Sequence, residues 1–185
     1  ATRVYAVDVG HAQLHERLRE DPRVTVLERT DVRALRLDLL EGRPVDAASV
    51  DLSFISLTSV LPVLLGGLVV GGGPVVLLVK PQFEAGRPAA SRGRGVIRDP
   101  DVHRRCLARV ADAVVAAGGA VEAAMPSPLR GRSGNVEFLV HATASPGDGR
   151  VGGRSDGRGG EDLERLLDEV VAEAHDARQD GPPWR

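Results

Sequence analysis

The sequence predicts an α/β domain with a mostly parallel sheet and an antiparallel hairpin at one edge. Three observations lead there. Short β-rich apolar runs alternate with segments of helical spacing from the first residues onward, the order of strand–helix–strand units. Residues 74–79 (PVVLLV) form a near-continuous apolar run, the composition of a strand buried on both faces by covering helices. Two late strand-like runs, residues 121–125 and 135–141, lie close enough in the chain to pair directly as an antiparallel hairpin.

The elements follow in order. Residues 3–9 (RVYAVDV) read as a strand whose last acid is Asp8, and residues 10–20 have helical spacing through Leu14 and Leu18. Residues 24–27 read as a strand, 32–40 as a short helix, 47–50 as a strand and 57–69 as a helix. Beyond the 74–79 strand comes a Gly/Arg-rich loop at residues 84–98. Asp99 and Pro100 then open a helix as N-cap and first-turn proline, and Gly118 and Gly119 end it. The two late strands flank an RGRSGN turn.

The domain is expected to occupy residues 1–144. Residues 145–160 are a Gly/Arg/Ser linker with almost nothing to bury, expected to be flexible. In residues 161–185, Leu163, Leu166, Leu167, Val170, Val171 and Ala174 share one helical face. This amphipathic helix and tail would dock either on its own domain or on a partner chain.

Bulk composition sets bounds on function. A chain of 185 residues can bury one α/β core and is too short for two. Its net charge of -2 and hydrophobic share of 42% suit a soluble globular protein, so any polyanion must meet a local basic patch. The single cysteine, Cys106, excludes an internal disulfide, the first residues lack the pattern of a signal peptide, and the cytoplasm is the simplest location. Residues 60–79 carry no charge and match the length of a bilayer span. Gly66, Gly67, the Gly71–Gly73 triplet and Pro74 interrupt them, at roughly 1 kcal/mol per glycine and about 3 for proline in a helix interior. The run is therefore a helix, a turn and a buried strand, with no membrane span and no pore.

Four acidic or basic positions carry chemistry. Asp8 ends a strand at the carboxyl edge of the sheet, where it can accept ribose hydroxyls or cap a helix. Asp31 can accept an adenine amine or cap the helix that follows. Asp51 directly follows a strand and opens a turn of small polar groups and an aromatic (DLSFISL), which suits a ligand-facing surface. Lys80 closes an interior strand, where an unpaired ammonium is costly to bury, so a functional role is favoured over a structural ion pair.

The strings DLSFISL, LLVKPQFEAG, GVIRDP and SGNVEFL, in this order, resemble the motifs of the TlyA family, the hemolysin A-like rRNA methyltransferases with an FtsJ-like methyltransferase domain. The resemblance covers roughly residues 3–141. It implies a Rossmann-like, S-adenosylmethionine-dependent enzyme that methylates a ribose 2′-hydroxyl, with ribosomal RNA or a ribosomal subunit as partner. It also implies a Lys-Asp-Lys-Glu tetrad, in which Asp51 matches the acid, Lys80 the second lysine and Glu137 the glutamate. Asp8, Asp31 and Asp51 would line the cofactor. The family's glycine-rich cofactor turn, the tetrad's first lysine and the S4-type RNA-binding domain all belong before Ala1, so the domain is expected to be amino-terminally truncated. The strand preceding that turn lies centrally in the family's sheet, between the strands ending in Asp8 and Asp51. A sheet divided at that place is expected.

This chemistry needs those residue types. A ribose hydroxyl is a poor nucleophile and must lose its proton as it attacks, and a lysine can take that proton only when neutral, far from the ordinary lysine pKa near 10.4. Lys80 would be the general base, Asp51 would orient it near the methionine end of the cofactor, and Glu137 would bond the lysine or the ribose and fix the line of attack. No metal is required.

A competing reading is a non-catalytic RNA-binding or ribosome-associated remnant that uses Arg87, Arg92, Arg94, Arg98, Arg130 and Arg132 for phosphate contacts. Those arginines could equally belong to solvated loops. His11 with His15, and His103 with Cys106, have chelating spacing but no third ligand, so they read as surface helix positions, with Cys106 half-buried.

Overall fold

The computed structural model describes residues 1–86, 95–144 and 159–176, with the side chain of Arg132 outside that description. Strand β1 (Val4–Val7) pairs in parallel with β2 (Val24–Leu27), Val4 opposite Val24 and Val7 opposite Leu27. A second sheet has the order β3-β4-β6-β5, from β3 (Ala48–Val50), β4 (Pro74–Val79), β5 (Ala120–Pro126) and β6 (Phe138–Thr143). Pairing is parallel between β3 and β4 and antiparallel from β4 to β6 and from β6 to β5. The α/β class and the edge hairpin are therefore as predicted. The strands leading to Asp8 and Asp51 lie in separate sheets.

Several predicted helices are shorter than their spacing suggested. Of residues 10–20 only α1 (Glu16–Arg19) is helical. Upstream, Asp8 Oδ1 accepts the Gly10 N–H at 2.6 Å and Glu28 Oε1 accepts that of Ala12 at 2.8 Å, while Ala12 sits at φ 56°. Side chains that satisfy backbone donors in this way compete with the helix. Residues 32–40 form two 3-10 turns, Val32–Ala34 and Leu37–Leu40, with Arg36 extended between them. Residues 57–69 form a 3-10 turn at Leu57–Ser59, the short α2 (Leu61–Val63) and a π turn at Leu64–Leu68, broken where Gly67 adopts φ 130°. Among the described residues no helix is long and apolar enough to cross a membrane.

The PVVLLV run is buried on one face rather than two. Val75, Leu77 and Val79 are wholly buried, whereas Val76 on the other face is 40% exposed. The buried face joins a core that includes Leu61, Leu107, Val110, Val114, Phe138 and Val140. Helix α4 (Pro100–Ala116) starts as predicted, with Asp99 Oδ1 accepting the Asp101 N–H at 2.9 Å. It buries His103, Cys106, Leu107, Val110, Ala111 and Val114, one stripe at helical spacing. The last helix, α5 (Gly160–Asp176), docks on its own domain, packing against α4 and β5 through Leu167, Val170, Val171 and Ala174. The linker up to residue 158 and the tail beyond residue 176 lie outside the described residues.

Candidate active site

Strand register brings the three motif residues to one end of the four-stranded sheet. Val50 pairs with Leu77, and Asp51 is the next residue. Val79 pairs with Phe138, so one further step along both strands sets Lys80 opposite Glu137. The carboxyl ends of parallel strands are where open α/β sheets hold ligands.

Lys80 Nζ stands 2.5 Å from Asp51 Oδ1 and donates to Ser53 Oγ at 3.3 Å. The lysine side chain is 13% exposed and that of Asp51 is 64% exposed, so the pair joins a nearly buried ammonium to a solvated carboxylate. Lys80 is also the N-cap of α3 (Pro81–Glu84), and Pro81 at the first helical position fixes the turn out of β4. Glu137, 6% exposed, does not bond Lys80. Its Oε1 accepts Gln82 Nε2 at 2.9 Å, so an amide two residues beyond Lys80 connects the two. The other amide atom, Gln82 Oε1, is buried and has no hydrogen-bond partner among the described residues.

Two further groups shape the site without having been predicted. Glu84 is 2% exposed and accepts Ser56 Oγ at 2.6 Å and the Leu57 N–H at 2.8 Å, which pins the DLSFIS turn against α3. The available signal was an acid one helical turn after Lys80 facing a segment whose first amides need an acceptor. Asn135, also 2% exposed, accepts the Ile97 N–H and donates to the Gly95 carbonyl, both at 2.9 Å. It thereby holds the GVIRDP segment on the turn that leads to Glu137. Phe54, at φ 66°, is 92% exposed, and its ring centroid lies 5.0 Å from that of Phe83. An aromatic so exposed is a ready surface for a planar ligand.

Asp8 and Asp31 belong to the two-stranded sheet and form no hydrogen bond or ion pair with Lys80, Asp51 or Glu137 among the described residues. The Asp8 carboxylate is exposed, with one oxygen held by Gly10. Asp31 caps the Val32–Ala34 turn and binds the Arg33 guanidinium at 2.5 Å, which holds its carboxyl down to about 2. Arg98 and Arg130 are exposed beside the segments that Asn135 joins. Arg87, Arg92 and Arg94, and the side chain of Arg132, lie outside the described residues.

Two surface expectations are overturned. His103 is fully buried, because its ring finds partners in the Ile97 carbonyl and His175. Cys106 is buried rather than half-buried, and desolvation, reinforced by the Glu84 carboxylate, pushes its thiol up to about 11. His11 bonds Glu28, and His15 caps α1. Among the described residues no group of three or more His, Cys, Asp or Glu side chains could hold a metal ion.

Comparison with known proteins shows the family. The family model for FtsJ-like methyltransferases matches residues 1–144. The chain is 44% identical over 176 residues to YqxC of Bacillus subtilis, a candidate rRNA methyltransferase, covering 95% of this chain and 59% of that protein. It is 46% identical over 140 residues to the 16S/23S rRNA (cytidine-2′-O)-methyltransferase TlyA of Mycobacterium tuberculosis, covering 76% of this chain and 51% of that protein. A solved structure of a candidate hemolysin from Streptococcus thermophilus superposes with a TM-score of 0.84 at 38% identity, covering 97% of this chain and 60% of the other. The chain thus spans between about half and three-fifths of the length of these relatives.

Proposed function

Because the chain belongs to the FtsJ-like methyltransferase family, we propose that it forms the catalytic part of an S-adenosylmethionine-dependent enzyme that methylates a ribose 2′-hydroxyl in ribosomal RNA. The observation that carries this reading is the nearly buried Lys80 ammonium at a strand end, paired with Asp51 and set opposite Glu137. The relatives' names point to a cytidine in rRNA as the acceptor, and an rRNA substrate implies work in the cytoplasm.

The residues present fit the nucleoside end of the cofactor. Asp8 offers an exposed carboxylate at a strand end, and a Cβ at Gly10 would stand 3.0 Å from its Oδ1, so glycine is what leaves that carboxylate in place. Asp8 and Asp51 would hold the cofactor; Asp31 is already engaged by Arg33. When bound, S-adenosylmethionine supplies an electrophilic methyl group on a sulfonium.

Before attack the Lys80 ammonium gives up a proton to solvent by way of Asp51, which is bonded to it and open to water, and the neutral Nζ then takes the proton that the attacking 2′-hydroxyl loses. Gln82 holds the Glu137 carboxylate still, so that it can accept from the ribose and fix the direction of attack. Phe54 stacks on a base of the bound RNA, as exposed aromatics do with unpaired nucleotides. The exposed Arg98 and Arg130 contact phosphates, so binding weakens as salt rises.

The test is methyl transfer from labelled S-adenosylmethionine to rRNA of a strain lacking the gene, using the complete gene product. Lys80→Ala and Lys80→Arg should each lose on the order of 10²- to 10⁴-fold in rate, the usual contribution of a general acid–base group. Because Lys80→Arg keeps the positive charge, a rate within about tenfold of wild type would leave an orienting cation and remove the base. No transfer by the wild-type protein, or to any ribose, sinks the enzyme reading.

A further inference from the structure

Ile97 is gripped by both of its backbone groups. Its N–H donates to Asn135 Oδ1 at 2.9 Å, and its carbonyl lies 3.2 Å from His103 Nε2. A carbonyl only accepts, so His103 carries a proton on Nε2, and in the neutral ring Nδ1 then keeps its lone pair. That lone pair faces His175 Nε2 at 3.0 Å, so His175, in the last turn of α5, is the donor. The buried His103 ring also meets the ring of Phe138, the residue after Glu137, edge-on at 5.4 Å. A continuous line of hydrogen bonds and ring contacts therefore runs from the carboxyl-terminal helix through His103 to Ile97 and Asn135 on one branch and to Phe138 on the other. Both branches end beside Glu137.

We propose that His103 is a positioning residue for methyl transfer: bonded on Nε2 to the Ile97 carbonyl and on Nδ1 to His175, it couples the docked α5 helix to the backbone that sets the Glu137 carboxylate opposite Lys80. This rests on the site reading above. The neighbouring residue provides an internal contrast. Arg104 ties α4 to the same helix through Glu164 and through Asp168 at 2.5 Å, yet none of these residues bonds the 95–97 segment or Asn135. One tether leads to the site and the other does not.

The experiment compares His175→Ala, His175→Gln and Arg104→Met in the complete gene product, with kcat, KM for S-adenosylmethionine and melting temperature measured for each. His175→Ala should lower kcat on the order of tenfold to a hundredfold, as small misplacements of catalytic groups do, with KM little changed. His175→Gln, whose amide nitrogen can donate to His103 Nδ1, should recover most of that loss. Arg104→Met should lower the melting temperature with kcat unchanged. Imidazole nitrogen NMR should show His103 as the Nε2–H tautomer in the wild type. An unchanged kcat in His175→Ala, equal kcat losses in His175→Ala and Arg104→Met, or an Nδ1–H tautomer in the wild type overturns the proposal. The two readings fail separately. A wild-type rate in Lys80→Ala removes the site itself, whereas a wild-type rate in His175→Ala beside an inactive Lys80→Ala removes only the positioning role.

Discussion

Glu137 is held on one side by the Gln82 amide and on the other by the lack of a side chain at Gly131. A Cβ there would lie 2.7 Å from Glu137 Cδ, although the Gly131 φ of -65° suits any residue. Gly131→Ala should therefore displace the carboxylate without straining the backbone. Methyl transfer should fall on the order of tenfold to a hundredfold with little change in melting temperature; an unaltered rate would show that the Glu137 orientation is unimportant. At this scale Lys80 was legible because an ammonium ending an apolar strand is costly to bury unpaired, Asp51 because an acid opens a small polar turn directly after a strand, and their pairing through the resemblance of the motifs. Gln82, Glu84 and His103 were not. Each is matched to a group far away in the chain, as Gln82 is to Glu137 and His103 to His175, and no local pattern announces such pairs.

Among the elements, the β1–β2 unit packs Tyr5, Val7 and Leu27 against the core and also carries a network of charge. Glu28 accepts from the Arg19 guanidinium, His11 and the Ala12 N–H, and these donors, Arg19 foremost, lower its carboxyl from 4.5 to about 2. The folded value lies below the unfolded one, so the stabilisation is present above about pH 4.5 and is lost as pH falls toward 2. Asp21 and Asp31, each held at about 2 by an arginine two residues on, titrate in the same window. Glu28→Gln should flatten, without abolishing, the acid limb of a melting-temperature profile between those values. An identical acid limb would mean the network contributes nothing to folding. The same side chains explain why the helix read at residues 10–20 shrank: Asp8, Glu28 and His15 each take a backbone N–H in the stretch that periodicity assigned to a helix. Periodicity sees apolar spacing but not that competition.

For the molecule as a whole, the carboxyl-terminal helix is part of the core rather than an accessory to it. Leu167 is 1% exposed and belongs to the same apolar cluster as Leu107 and Val140. Leu167→Ala should lower unfolding free energy by about 2–5 kcal/mol, the range for emptying a packed leucine site. A change near zero in a denaturant melt would mean the helix docks loosely.

The sequence by itself determined the α/β class, the edge hairpin and the capped start of α4, because these depend on composition and short-range spacing, and its motif order singled out Asp51, Lys80 and Glu137 as the residues proposed for the site. The tertiary structure alone decided which face of β4 is buried, that the last helix docks on its own domain, and that Glu137 reaches Gln82 rather than Lys80. Those outcomes depend on register and on side chains brought together across the fold, where each donor takes the nearest acceptor that packing leaves within reach.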